Sequence, residues 1–303
     1  MQRALQGLST FCLLLVMSLN VSAAQNTALF LGNLDLRANP AIKELKQVSS
    51  ELIPANDPNF FDRNHLYFTQ TLATEKGTQN DVFVWDLSKK VASNITNSSV
   101  SESVPSPLKK QEGLLVTIEN DKGKHELWTL ALDGRPLTHL VPNSQVIGSQ
   151  AWINEHEFLF TEFGAPQTLK RSDTVDTSKV EIIDTHVGDS LHEFERSDWF
   201  LYVQQEKNQL KAYNTKNQKA IVVTQLPEAS KHFSISTTGH VLASDGKTLY
   251  QLQVIAKGEQ LRSQGEWTPL KIDSTACQNG IGKTAISPYG GKIALVCVTE
   301  DNE

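Results

Sequence analysis

SESVPSPLKKQEGLLVTIENDKGKHELWTLALDGRPLTHLV, residues 101–141, decides the fold. It reads as four short strands joined by three turns. The first is Ser103-Val104-Pro105-Ser106-Pro107. The second covers 114–118, and the polar turn Glu119-Asn120-Asp121-Lys122-Gly123 leads to the third over 126–132. Asp133-Gly134 is a two-residue hairpin signal, and 137–141 is the fourth strand. The alternation His125-Glu126-Leu127-Trp128-Thr129-Leu130 has period two, as expected of a strand with one buried face.

Outward from this unit, its second strand recurs. His65-Leu66-Tyr67-Phe68-Thr69, Glu157-Phe158-Leu159-Phe160-Thr161, Trp199-Phe200-Leu201-Tyr202-Val203, His240-Val241-Leu242-Ala243-Ser244 and Lys292-Ile293-Ala294-Leu295-Val296 match Gly113-Leu114-Leu115-Val116-Thr117. The closing positions 69, 117, 161, 203, 244 and 296 are 48, 44, 42, 41 and 52 residues apart. Four-strand units repeating every ~40–50 residues are propeller blades, so six anchors predict an all-β, six-bladed β-propeller of four-stranded antiparallel blades. The sixth blade runs out of chain after its second strand. Residues 28–34 read as its third strand and 42–48 as its fourth, so two strands from each terminus close the ring and remove its open edges. A short amphipathic helix over 41–52 is the alternative.

Residues 1–24 read as a signal peptide, with Arg3 before an apolar run over 11–19 and Val21-Ser22-Ala23 as a cleavage site; an uncleaved anchor is the other reading. Residues 25–303 then form one domain, with no further membrane span. Cys12 lies in the apolar run. Removal of Arg3 takes the net charge from −6 to −7, which argues against nucleic acid as a partner. Cys277 and Cys297 remain, on a chain whose export permits a disulfide; two free thiols are the alternative.

Several short stretches add up to a family resemblance. Ile95-Thr96-Asn97 precedes Pro105 and a second strand. Glu126-Leu127-Trp128-Thr129-Leu130-Ala131-Leu132-Asp133-Gly134 follows, with Leu137-Thr138. Ala285-Ile286-Ser287-Pro288-Tyr289-Gly290-Gly291-Lys292-Ile293-Ala294 resembles an S-P-D-G-K-x-I-A turn with Tyr289 in place of Asp. Together they resemble the TolB-type, WD-repeat-like propellers of exported bacterial proteins over nearly all of 25–303. The resemblance implies a periplasmic propeller acting as a binding or scaffold module. With the signal peptide, the expectation is a periplasmic or secreted monomer whose partner is a protein or envelope component. It does not extend to the α/β domain that precedes the TolB propeller.

Motifs of chemistry are sparse. Gly188-Asp189-Ser190-Leu191 spells the motif of a Ser hydrolase family and Asp62-Arg63-Asn64-His65 a D-x-x-H, but their order is reversed and the setting is a propeller. There is no G-x-S-x-G, H-E-x-x-H or Ca²⁺ loop, and no cofactor is expected. The candidate site is a ring where the innermost strands begin, at the channel mouth: Glu51, Glu102, Gln150, His192, His232 and Lys283. These either bind a ligand or hold channel water and satisfy backbone groups. The expected function is a non-catalytic binding, scaffold or sensing module. The alternative is a metal-assisted hydrolase or lactonase at the channel mouth, which needs carboxylates converging on a metal. Trp85, Trp128, Trp152, Trp199 and Trp267 are expected between blades.

Overall fold

The computed structural model describes residues 26–299, apart from 51–52, 76, 109–111, 145–146, 177, 195 and 258–259. Two strands come first, β1 (Thr27–Leu34) and β2 (Ile42–Gln47). Five consecutive four-stranded antiparallel blades follow. They are β3 (Ala55–Phe60), β4 (His65–Thr74), β5 (Gly77–Asp86) and β6 (Val91–Asn94); β7 (Ser101–Pro107), β8 (Leu114–Glu119), β9 (His125–Leu130) and β10 (Pro136–Ser144); β11 (Ile147–Trp152), β12 (Glu157–Glu162), β13 (Thr168–Asp173) and β14 (Val180–Thr185); β15 (Val187–Glu193), β16 (Trp199–Gln204), β17 (Gln209–Asn214) and β18 (Lys219–Gln225); and β19 (Phe233–Ile235), β20 (His240–Ser244), β21 (Leu249–Lys257) and β22 (Gln260–Leu270). Last come β23 (Ile281–Ile286) and β24 (Lys292–Val298).

The sixth sheet has the order β2-β1-β24-β23, so each end of the chain gives it two strands. β1 pairs with β24 from Thr27↔Val298 to Asn33↔Lys292. The segment that could have been a helix is thus extended as β2. No residue described is helical, so no helix among the described residues is long and apolar enough to cross a membrane.

The strands that flank each inner strand are the most buried. Every residue of β16 is buried, and β4, β8, β12 and β24 carry runs of four or five buried residues. Such a strand meets a neighbouring blade on both faces, which is why it reads as a continuous apolar run instead of an alternating one. One interface gathers Leu242, Leu249 and Leu270 of the fifth blade with Ile42, Ile293 and Leu295 of the sixth. Each such side chain contributes roughly 1.5–3 kcal/mol when fully buried. Cys277 and Cys297 sit in the same cluster and their sulfurs are bonded, with Cα atoms 4.8 Å apart. Trp199 is buried between blades, and Trp85, Trp128 and Trp267 pack partly buried against neighbouring clusters. Trp152 departs from that pattern, because it also lines the space on the propeller axis.

Gly134 shows why a turn residue is fixed. Its φ is +86°, and a Cβ there would lie 2.0 Å from the Ile95 carbonyl oxygen. The β9–β10 turn therefore needs glycine both for its backbone and for its seat against the loop after β6.

Candidate functional site

The inner strands β3, β7, β11, β15, β19 and β23 surround a cavity of about 680 Å³. Its lining starts near the beginning of these strands and runs to the turns that follow them, at Arg196, Thr237 and Pro288. The innermost level is set by a repeated irregularity. Strand pairing slips between Asn56 and Asn59, Ser103 and Ser106, Ile147 and Gln150, Val187 and Leu191, and Ile281 and Thr284. Each slip is a bulge, which breaks the two-residue alternation and re-aims a side chain. The bulged segments contain Asp57, Val104, Ser149, Asp189 and Lys283, and His232 immediately precedes β19; all six line the cavity. Asp57 and Val104 have φ of +50° and +53°, a conformation that is costly for a β-branched valine.

Lys283 is the centre of this floor. Its Nζ lies 2.6 Å from Asp57 Oδ1 and 2.7 Å from Asp189 Oδ2. Asp189 Oδ1 accepts hydrogen bonds from the Ser149 amide at 2.6 Å and the Ser149 hydroxyl at 3.1 Å. Gly148 makes that approach possible: a Cβ there would lie 2.2 Å from Asp189 Oδ1. Burial alone would raise the Asp189 pKa, but the Lys283 ammonium and these donors reverse the effect and hold it at about 2. Burial pulls Lys283 down, yet the charges of Asp57 and Asp189 prevail and hold it above the ordinary lysine value.

Both histidines are neutral at pH 7. His192 Nε2 lies 2.9 Å from the Phe233 carbonyl oxygen and His232 Nδ1 3.2 Å from that of Asp189, so each ring donates to backbone. Burial, aided by the Lys283 charge, pushes each to about 4. Further bonds join the blades around the axis. Gln150 Nε2 donates to the Val104 carbonyl at 2.9 Å, and the Ser234 and Thr284 hydroxyls lie 2.7 Å apart.

Of the residues proposed from sequence, Gln150, His192, His232 and Lys283 meet on this cavity. One member of the proposed ring lies elsewhere. Glu102 is not part of the lining. It lies before the β7 bulge, opposite Ile118, so its side chain takes the other face, and Val104 occupies the axis. From the opening residues the lining leads on to the turns after the inner strands. Glu51 lies outside the described residues, and β3 begins at Ala55.

Asp57 and Asp189 were missed. The signal for Asp189 was a recurring triplet, Gly148-Ser149-Gln150, Gly188-Asp189-Ser190 and Gly282-Lys283-Thr284, in which a glycine and two polar residues mark the bulge. The hydrolase reading of Gly188-Asp189-Ser190-Leu191 is unsupported by geometry. Ser190 Oγ donates to the Phe233 carbonyl at 3.0 Å and accepts from the Phe233 amide at 3.1 Å, while His65 pairs with Asp62 in another blade.

No protein-family model matches the sequence, and no curated protein matches it. Solved structures do. A protein assigned as TolB from Agrobacterium tumefaciens superposes with a TM-score of 0.63 at 10% identity, covering 92% of this chain and 100% of the other. The chain has a TolB-like six-bladed propeller fold. A chain of a nidogen/laminin complex matches with a TM-score of 0.55 at 14% identity, over 79% of this chain and 94% of the other. A protein assigned as a gluconolactonase matches with a TM-score of 0.56 at 9% identity, over 84% and 91%. At these identities the likeness is one of fold alone.

Proposed function

We propose that this propeller is an exported, non-catalytic binding module of the cell envelope, whose axial cavity receives part of a protein or envelope partner. Residues 1–24 would direct export and 25–303 form the working domain. The observation that carries this reading is the floor. Its two carboxylates are already bridged by Lys283; Ser190 and the two histidines are committed to backbone, and the Ser149 hydroxyl donates to Asp189. Such a surface offers a shaped, polar recess, which suits recognition. It does not offer an activated nucleophile: the one carboxylate that meets a hydroxyl, Asp189 beside Ser149, is held at about 2 by Lys283 and is too weak a base to take its proton. Among the described residues, no three His, Cys, Asp or Glu side chains are grouped as a metal would need. A nidogen/laminin complex among the structural neighbours adds a propeller seen with a protein partner.

The competing reading, metal-assisted lactone hydrolysis, draws on the gluconolactonase-like neighbour. One experiment separates them. A photo-cross-linking residue at Thr237, on the cavity rim, is expected to capture a discrete envelope partner in cells, whereas one at Lys216 on an outer turn is not. Divalent-metal-dependent hydrolysis of aliphatic lactones by the purified protein, with no capture from Thr237, would overturn the binding reading.

A further inference from the structure

The cavity floor carries an unbalanced charge. Asp57 and Asp189 face one ammonium, that of Lys283. Asp189 spends both oxygens on protein partners. Asp57 spends only Oδ1; its Oδ2 has no hydrogen-bond partner among the described residues, and its side chain is 12% exposed, at the edge of the cavity. The rest of the lining does not correct the imbalance. β7 brings Val104, Pro105, Ser106 and Pro107, and β11 brings Ser149 to Trp152, with no ionisable group in either set. The rim adds one acid, Glu193, and one base, Arg196, which offset each other. His192 and His232 are neutral at pH 7. One negative charge therefore remains inside the recess, where low-dielectric walls focus its field. Above it the walls turn apolar, with Phe60, Pro105, Trp152 and Ile286.

We propose that the cavity floor binds a primary ammonium group, with Asp57 Oδ2 as its acceptor and an apolar stem lying against Trp152 and Ile286. The inference rests on the reading of the cavity as a binding site and names what that site selects. An ammonium supplies both things the floor lacks, a compensating charge and donors for an open carboxylate oxygen, and charge-assisted bonds of this kind are about twice as strong as neutral ones. Lys283 bonds the other oxygen, Asp57 Oδ1, and bridges to Asp189, and its single charge is already shared between the two acids. The group has two possible carriers, a free amine or the tip of a lysine presented by a docked partner.

Titration calorimetry on the intact domain tests this with two matched pairs of probes. Benzylammonium is expected to bind at least tenfold more tightly than benzyl alcohol at pH 7, and to weaken as the pH approaches 4, where His192 and His232 take up protons. A blocked Gly-Lys-Gly peptide is expected to outbind its Nε-acetylated form if the carrier is a lysine, and to be indifferent if it is a free amine. Asp57→Asn keeps the Lys283–Asp189 pair and is expected to erase the ammonium preference without unfolding the protein. Equal binding of amine and alcohol would remove the charge assignment while leaving the cavity a binding site. A preference that survives in Asp57→Asn would remove Asp57 as the acceptor. No binding of any probe would overturn the inference, whereas the envelope-binding reading falls only if Thr237 captures no partner.

Discussion

Two places in this molecule bury acidic side chains, and they treat them in opposite ways. On the axis, Asp57 and Asp189 share Lys283, and Asp189 is ionised down to about pH 2. At the seam between the first two blades, Asp81 is 1% exposed and Glu102 4% exposed. Asp81 accepts from the Gln79 and Asn94 amides at 2.7 and 2.5 Å, and Glu102 accepts from the Ser98 hydroxyl at 2.5 Å. Among the described residues no Lys or Arg is bonded to either, and Glu102 Oε2 is buried without a partner. Burial, reinforced by the Asp81 charge, lifts Glu102 to about 7. The difference teaches that burial does not by itself fix protonation here. A cation delivered by a bulge keeps one acid charged, and the lack of one leaves the other ready to take a proton.

The strongest way to break the contrast is to remove the cation. Lys283→Ala should cost roughly 3–5 kcal/mol, because it leaves two buried carboxylates uncompensated. That corresponds to a fall in Tm of about 10 °C. Adding Asp189→Asn should recover part of it; a single variant that melts like the wild type would mean the triad contributes nothing to stability.

Acid sharpens the contrast next. The histidine pKa values are depressed in the folded protein, so their contribution is complete above about 6.5 and is lost as pH falls from there to about 4. The Glu102 pKa is raised, so its contribution is complete below about 4.5 and is lost as pH rises through about 7. The two slopes oppose each other between pH 4.5 and 6.5. Glu102→Gln removes only the seam's slope. Its stability should exceed the wild type's by about 2 kcal/mol at pH 8 and converge with it near pH 4. Parallel denaturation curves for the two proteins across that range would show that Glu102 does not titrate as described.

A smaller effect is expected from Gly148→Ala, about 1–2 kcal/mol, by pushing Asp189 Oδ1 off its Ser149 donors. The variant should also raise the acid midpoint of unfolding, since Asp189 loses donors that hold its pKa down. A change in Tm with no change in that midpoint would place the strain elsewhere.

The blades were legible because their signals are local and repeated. Apolar runs such as Phe158 to Phe160 and Phe200 to Val203 recur at blade spacing, and Asp133-Gly134 marks a hairpin. Closure by both termini followed from counting strands. The site was only half legible. Gln150, His192, His232 and Lys283 could be placed on the axis, where they line the cavity, because inner strands were assumed to open at one level. Glu102 was misplaced and Asp57 and Asp189 overlooked because a bulge changes which side chain faces the axis, and its position depends on the partner strand. Asp57 carries no glycine before it, so its bulge left no mark that the repeat could reveal.

The pairing of Thr27 with Val298 has a consequence for how the molecule is made. Synthesis proceeds from the N-terminus, so β1 emerges early and must wait for β24, nearly the whole chain later. Until then the sheet that holds both ends has only β1 and β2, and a lone hairpin of that kind is marginal in water. The contact that completes the circle is also the one most distant in sequence, which makes it the slowest kind to form. The nascent protein thus remains an open arc of blades, with a free edge at each end, until the last strand is released. Any factor that shields those edges acts in that interval, and the Cys277–Cys297 bond, inside the closing blade, joins two segments that both belong to its final stretch.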